Sequence, residues 1–312
     1  MAVLANQRVA YFNGRIVPER EVVVPFRDRS FLRGDAVFDS TRTFGGRPFR
    51  LRQHVDRLYR SLRYLRIDPG LTPDEMLSIS EEVLARNVHL LDENSDYWIS
   101  QRVSRGTDAA GDEGWEHSGP TVIVECMPIP LKKRARLYRD GMDVVVPAVR
   151  RTPPEAFSPR AKTHNYLNLV MGDMEAHAVD PDAWAVLLDV NGNLAEGTGS
   201  NIFLVRDGRL YTPQERYVLP GISRRVVMDL AEAEGIPLVE ADLDLYDAAT
   251  ADEIFITSTS LCICPVRSVN GNPVGAVPGP MTRRLTDAYV RHAGFDFVAQ
   301  YLRHLDTAAA GR

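Results

Sequence analysis

The chain has 312 residues, room for two domains with buried cores, and its 44% hydrophobic and 25% charged residues are those of an ordinary globular protein. A net charge of −5 gives no attraction to nucleic acid or an anionic membrane, and no apolar run approaches the ~20 residues of a spanning helix. Cys126, Cys262 and Cys264 cannot form a disulfide framework, and the N-terminus lacks the basic-then-apolar pattern of a signal peptide, so the expectation is a cytoplasmic protein.

In chain order, Asn13-Gly14 in VAYFNGRIVP predicts a hairpin, and Gly45-Gly46 in AVFDSTRTFGGRPFRL predicts another. Val55, Leu58, Leu62 and Leu65 recur at helical spacing, which predicts a helix over 52–66; a second covers 73–89. DYWISQRVSRG and PTVIVECMPIP read as strands, and the Gly-, Asp- and Glu-rich stretch 106–119 between them as a mobile surface loop. MPIPLKKRARLYRDG, two prolines and then a basic run, marks a connector. It is placed at 128–137, between an N-terminal domain over 1–127 and a C-terminal domain over 138–312. MDVVVPAV is a strand, 163–178 a helix, and AWAVLLD and SNIFLV are strands with turns at Asn191-Gly192 and Asp207-Gly208. A helix over 222–235, strands DEIFITST and CPVRSV, and a last helix over 279–293 complete the series, with DTAAAGR as a disordered tail. Strands and helices mix without a regular βαβ order or an internal repeat.

Of 37 basic residues only Lys132, Lys133 and Lys162 are lysine. Where charge alone is needed the chain uses arginine; an amine, unlike a guanidinium, can shed its proton and attack a carbonyl. Lys162 is therefore a candidate nucleophile, the plainer alternative being a lysine that merely flanks a helix. A lysine that bonds a pyridoxal phosphate needs a phosphate seat, a partner for the pyridine nitrogen and a group stacked on the ring. Glu196 in NGNLAEGTGSNIF could pair with that nitrogen, or be an exposed turn residue. LPGISRRVV opens a helix whose unpaired N–H groups suit a phosphate, with Ser223 adding a hydroxyl, or Ser223 is simply a cap. Thr257, Ser258, Thr259 and Ser260 cluster at a strand end, and Arg57 in HVDRL could grip phosphate or be a solvated helix-surface residue. Cys262-x-Cys264 has no second pair and no nearby histidine, so strand core is preferred to metal.

Together these motifs resemble a known family. H-x-x-R-L at 54–58, A-K-x-x-N-Y-L at 161–167, L-A-E-G-x-x-S-N-I-F at 194–203, L-P-G-I-[ST]-R at 219–224 and T-x-x-x-I-x-P-V at 259–266 are similar to those of the class IV, or fold-type IV, pyridoxal-phosphate aminotransferases. The resemblance runs from about residue 10 to 290. It implies an α+β fold with a small N-terminal α/β domain and a larger C-terminal α/β domain, and a homodimer or larger assembly. It also implies that Lys162 bonds the cofactor aldehyde and then moves the proton between substrate Cα and cofactor C4′. By the same resemblance Glu196 partners the pyridine nitrogen, and Arg57, Ile222, Ser223 and Thr259 hold the phosphate. Leu219 then packs on the ring, and Tyr166 is a cofactor-side aromatic.

The family includes branched-chain and D-amino-acid aminotransferases, (R)-selective amine transaminases and aminodeoxychorismate lyase, and the N-terminal domain selects among them. Phe38 and Arg42 resemble the branched-chain type, but its Y-x-R-P motif is missing, the strand reading Tyr97-Trp98-Ile99-Ser100-Gln101-Arg102. RVSRG looks like the D-amino-acid enzymes, yet the R-x-H pair expected next is absent. The substrate residues expected are Phe38, Arg42, Tyr97, Arg102, Ser260 and Leu261, with Arg42 or Arg102 receiving the carboxylate or, alternatively, serving as a structural ion pair. The reading is a transaminase moving an amino group from a branched-chain or small aliphatic amino acid to a 2-oxo acid. The alternative is a D-amino-acid or (R)-amine transaminase, and less favoured is the lyase.

Overall fold

A computed structural model describes residues 7–109 and 117–309, which group into two compact units. The first holds the chain up to Ile129 and, after an excursion, Ala161–Asn165; the second holds Pro130–Arg160 and the chain from Tyr166 on.

In the first unit, strands β1 (Val9–Phe12) and β2 (Arg15–Pro18) form the hairpin over Asn13-Gly14, and a short helix α1 (Arg29–Arg33) follows. Then come β3 (Ala36–Phe44), β4 (Arg47–Pro48), α2 (Leu51–Leu65), α3 (Pro73–Asn87) and β5 (Tyr97–Ser104). A two-stranded pair, β6 (Thr107–Asp108) with β7 (His117–Ser118), precedes β8 (Thr121–Pro128). The surface loop expected over 106–119 is thus strand-paired at both ends, and its residues 110–116 lie outside the described residues. The six strands run in the order β2-β1-β8-β5-β3-β4, with α2 and α3 against one face. Because side chains alternate along a strand, Val37, Tyr97, Ile99, Val103, Val122, Val124 and Cys126 join Val55, Leu58, Leu62, Met76 and Val83 of the helices in one core. Phe38, Ser40, Trp98, Ser100, Arg102 and Glu125 occupy the opposite face by the same alternation. A Thr72–Glu75 capping box begins α3, satisfying two of its otherwise orphaned backbone donors.

The second unit begins where a connector was expected. Residues 131–140 of that stretch form helix α4 (Leu131–Asp140), with Leu131, Ala135, Leu137 and Tyr138 buried at i, i+4, i+6 and i+7. The basic residues that suggested a solvated linker lie between these apolar anchors, so composition concealed an amphipathic helix. Strand β9 (Met142–Val145) follows, then α5 (Leu167–Val179), β10 (Trp184–Leu188), β11 (Leu194–Gly197), β12 (Ser200–Arg206) and β13 (Arg209–Pro213). The remainder is α6 (Ile222–Ala233), β14 (Leu238–Ala241), α7 (Leu245–Ala249), β15 (Glu253–Ser258), β16 (Cys262–Val269), β17 (Asn272–Pro273), α8 (Pro280–Ala293) and α9 (Phe297–Ala309). The main path is β11-β10-β9-β16-β15-β12-β13-β14, and β11 also pairs with β12, so six strands close on themselves and leave no edge among them. Helix α9 replaces the expected disordered tail as far as Ala309. Buried Phe297 and Tyr301 dock it, Tyr301 stacking on Tyr138 of α4.

Candidate functional site

The sequence suggests a helix from 163, but α5 starts only at Leu167, and the lysine precedes it in extended chain. Strand β4 covers only Thr43 and Phe44 of β3, which leaves the Ala36–Phe38 edge to residues 162–164. There the Phe38 N–H donates to the Lys162 carbonyl (3.0 Å), the His164 N–H donates to Ala36 (2.9 Å), and the Lys162 N–H donates to Ser61 Oγ (3.0 Å). Lys162 Nζ lies 4.6 Å from the centre of the Phe38 ring, whose edge meets His164 at 5.4 Å. Burial, and then the nearby charge of Arg102, push the His164 imidazole down to about 4. His164 is neutral at neutral pH.

Beneath β3 the core face carries a charged set. Asp39 accepts from Arg57 Nε and from one of its terminal nitrogens, both at 2.8 Å, and from His54 Nδ1 at 2.7 Å. All three residues are buried. Burial alone would raise the Asp39 carboxyl, but the Arg57 charge and the His54 hydrogen bond outweigh it and hold it far below its ordinary value. An ionised carboxylate only accepts, so His54 carries its proton on Nδ1. Burial also pushes the His54 imidazole down. Arg57 is therefore not a solvated surface arginine: its guanidinium plane is fixed by Asp39. Sequence reasoning missed Asp39; the signal was a charged residue on the inward parity of an apolar strand.

The expected substrate residues separate. Phe38 and Arg102 share the open face of the sheet, as cross-strand partners. Arg102 Nε donates to Glu125 at 2.9 Å, its guanidinium lies 5.6 Å from the Phe38 ring, and its side chain keeps 35% exposure. Arg42 has the same parity as Phe38, opposite Trp98, but it is 1% exposed, 3.6 Å from the fully buried Asp96 and stacked 4.0 Å over Phe44, which is the structural ion pair the sequence left open. Tyr97 is in the core with its hydroxyl toward the Asn87 carbonyl. Strand parity puts it with Ile99 and Val103, away from Phe38, and it is Trp98 that shares the Phe38 face.

In the second unit Glu196 is 4% exposed on β11, not on an exposed turn. Its Oε1 accepts from Arg151 Nε and its Oε2 from the Leu219 N–H, each at 2.9 Å. The Asn201 amide donates to the Leu219 carbonyl at 3.1 Å, so β12 latches the loop that leads into α6. A Cβ on Gly221 would fall 2.2 Å from Asn201 Oδ1, which explains the glycine. Helix α6 then starts at Ile222 with no side-chain cap, leaving its first N–H groups for another acceptor. The Ser223 hydroxyl donates to the Ser258 carbonyl at 2.9 Å and accepts from Tyr289 at 3.4 Å. Thr259 lies in the turn between β15 and β16; Ser260 takes a hydrogen bond from Arg134, and Leu261 is fully buried, its N–H donating to Ser258 Oγ and its carbonyl accepting from Tyr138. Tyr166 stands at the start of α5, packed against the core cluster that includes Val145 and Leu169. Cys262 and Cys264 are buried along β16, and no metal-binding group of side chains occurs among the described residues.

A family model described as amino-transferase class IV matches residues 36–269. The chain belongs to the class IV aminotransferases. It is 38% identical over 281 residues to a putative branched-chain-amino-acid aminotransferase of Methanocaldococcus jannaschii, covering 89% of this chain and 94% of that one. It is 27% identical over 284 residues to a D-alanine aminotransferase of Staphylococcus haemolyticus, covering 90% and 96%. In structure it is similar to the branched-chain amino acid aminotransferase of Escherichia coli, at a TM-score of 0.83, 29% identity and coverage of 91% and 94%. This class IV chain is a pyridoxal-phosphate-dependent aminotransferase with the α+β fold its motifs implied. Among its described residues no helix is long and apolar enough to cross a membrane.

The residues present fit that cofactor. The second unit offers a buried carboxylate, an uncapped helix start and a buried Thr257 hydroxyl that has no partner. The first offers an amine on a backbone-pinned segment and a guanidinium held by Asp39.

Proposed function

We propose that this aminotransferase takes its amino group from an L-amino acid with a branched or small aliphatic side chain and passes it to a 2-oxo acid. The observation that carries this reading is the Phe38 ring against Lys162 Nζ, on a sheet face that also bears Trp98. An aliphatic side chain gains by covering such a surface. Bound pyridoxal phosphate supplies a ring that takes up the electron pair left at the substrate α-carbon. Lys162 would hold the cofactor at its aldehyde and would be the base that moves the proton at the substrate α-carbon. Glu196 pairs with the pyridine nitrogen. Arg57, Ser223, Thr259 and the Ile222 N–H at the α6 start would hold the phosphate, with Leu219 and Tyr166 as the ring-side residues. Arg102 receives the substrate carboxylate, since Arg42 is committed to Asp96.

Val23, Phe26, Phe31 and Leu32 leave a stretch of exposed apolar side chains on the first unit, Phe31 at 75% exposure. Such a patch favours association, here with a second copy of the chain. Light scattering of the purified protein tests this, and a monomer at micromolar concentration would refute it.

The test of the donor is a half-reaction. The cofactor-loaded enzyme is mixed separately with L-leucine, D-alanine and (R)-1-phenylethylamine, and the loss of the visible band is followed. L-Leucine should react at least as fast as the others. Faster conversion by D-alanine would favour the second reading, which the D-alanine aminotransferase relative and the missing Y-x-R-P motif support.

A further inference from the structure

Neither the motifs nor the family likeness assigned a role to Arg151, and the structure ties it to the carboxylate on which the electronics depend. The Glu196 side chain sits in the interior on β11, and each of its oxygens has one fixed donor, Arg151 Nε on Oε1 and the Leu219 N–H on Oε2. Two donors on different oxygens stop rotation of the carboxylate, so its remaining lone pairs point in fixed directions. The pair is dry: the side chains of Arg151 and Glu196 are 12% and 5% exposed. Arg151 is in turn built into place. Its N–H donates to the Leu188 carbonyl at 2.8 Å, and Asn168 in the first turn of α5 brackets it. The Asn168 amide donates to the Arg150 carbonyl at 2.6 Å, and its oxygen accepts from the Thr152 N–H at 3.0 Å and from an Arg151 terminal nitrogen at 3.4 Å.

We propose that Arg151 is a positioning residue for the transamination: it supplies the counter-charge and one of the two anchors that aim Glu196 at the pyridine nitrogen of the cofactor. This rests on the reading of Glu196 as the partner of that nitrogen. Arg151 acts through Glu196 and does not itself meet the substrate. Lysine is a poor replacement, because a point-charge ammonium cannot keep both the Nε contact to Glu196 and the terminal contact to Asn168.

The experiment compares Arg151→Met, Arg151→Lys, Glu196→Gln and the Arg151→Met/Glu196→Gln double variant. Three readouts are taken on each: the cofactor dissociation constant from absorbance titration of the cofactor-free protein, kcat and KM for the amino donor, and the melting temperature of the cofactor-free protein. Loss of a charge-assisted contact should weaken cofactor binding and lower kcat by about tenfold or more in Arg151→Met, with donor KM nearly unchanged. Arg151→Lys should recover part of that loss. The double variant should be no worse than Glu196→Gln alone, because residues that act through one another are non-additive. If Glu196→Gln is impaired while Arg151→Met or Arg151→Lys binds cofactor and turns over as the parent does, Arg151 has no such role and the reading of Glu196 stands. Full additivity in the double variant, or a lowered melting temperature with kcat and cofactor binding intact, likewise overturns it. A fully active Glu196→Gln removes the pyridine-nitrogen reading itself, and this proposal with it.

Discussion

Around Lys162 the first unit holds main chain, while around Glu196 the second unit holds a side chain. The lysine segment is fixed by its own N–H on Ser61 and by the backbone bonds to Ala36 and Phe38. The glutamate is fixed at both carboxylate oxygens, by Arg151 and by the Leu219 N–H. The difference fits the two proposed tasks. A nucleophile that also ferries a proton must swing, so its backbone is anchored, and its amine lies over the Phe38 ring. A charge that stabilises a bound ring works best when it does not reorganise, so its head group is anchored instead.

The sharpest way to break this contrast is Lys162→Ala. Turnover should fall by about ten-thousandfold or more, since the proposed role gives one amine both the cofactor bond and the proton transfer. The melting temperature should barely change, because the segment is held through its backbone. A steady-state assay with a thermal melt measures both, and a large loss of stability would undo the contrast. Next in size is Asp39→Asn, which leaves Arg57 buried without its counter-charge and should cost about 3–5 kcal/mol in denaturant unfolding. The parent should show the corresponding acid sensitivity. Because the folded Asp39 carboxyl titrates below its ordinary 3.8, its contribution is complete above that pH and is lost as the pH falls further.

A smaller effect is expected for Ser61→Ala, which removes the acceptor of the Lys162 N–H and the hydroxyl bond to the Arg57 carbonyl. About 1 kcal/mol of stability should go, with a measurable drop in kcat as the lysine segment loosens. Unchanged kcat would mean that the strand bonds to β3 suffice. The mildest is a pH effect at His164. Its folded value of about 4 lies below the ordinary 6.5, so the unfolded chain binds the extra proton between those limits. The contribution is complete above pH 6.5 and is lost as the pH falls toward 4. Melting temperatures should decline over that window, and His164→Gln should flatten the decline; an equal slope in both proteins would show that other groups cause it.

The candidates for the proposed site were legible because they lie in short, locally specified segments. Glycines around Glu196, the L-P-G-I turn before α6 and the lone lysine in an arginine-rich chain are each visible within a few residues. The same holds for the helices at α2 and α3 and the two hairpins, whose patterns repeat over the span of the element itself. What failed were features of low contrast or wrong parity. Helix α4 was hidden by its charge, and Tyr97, expected beside the substrate, is sent inward by alternation with Ile99 and Val103.

The sequence by itself thus determined the family and most of the elements, and it singled out the lysine and the glutamate as candidates, because local periodicity and turn chemistry report on an element's own surroundings. The tertiary structure alone decided which arginine is committed to the interior, that residues 161–165 join the edge of β3, and that Arg151 meets Glu196 from 45 residues away. Those outcomes depend on strand register and on the pairing of distant segments. A one-residue shift there reverses every side chain, and no local pattern records which remote charge will be opposite.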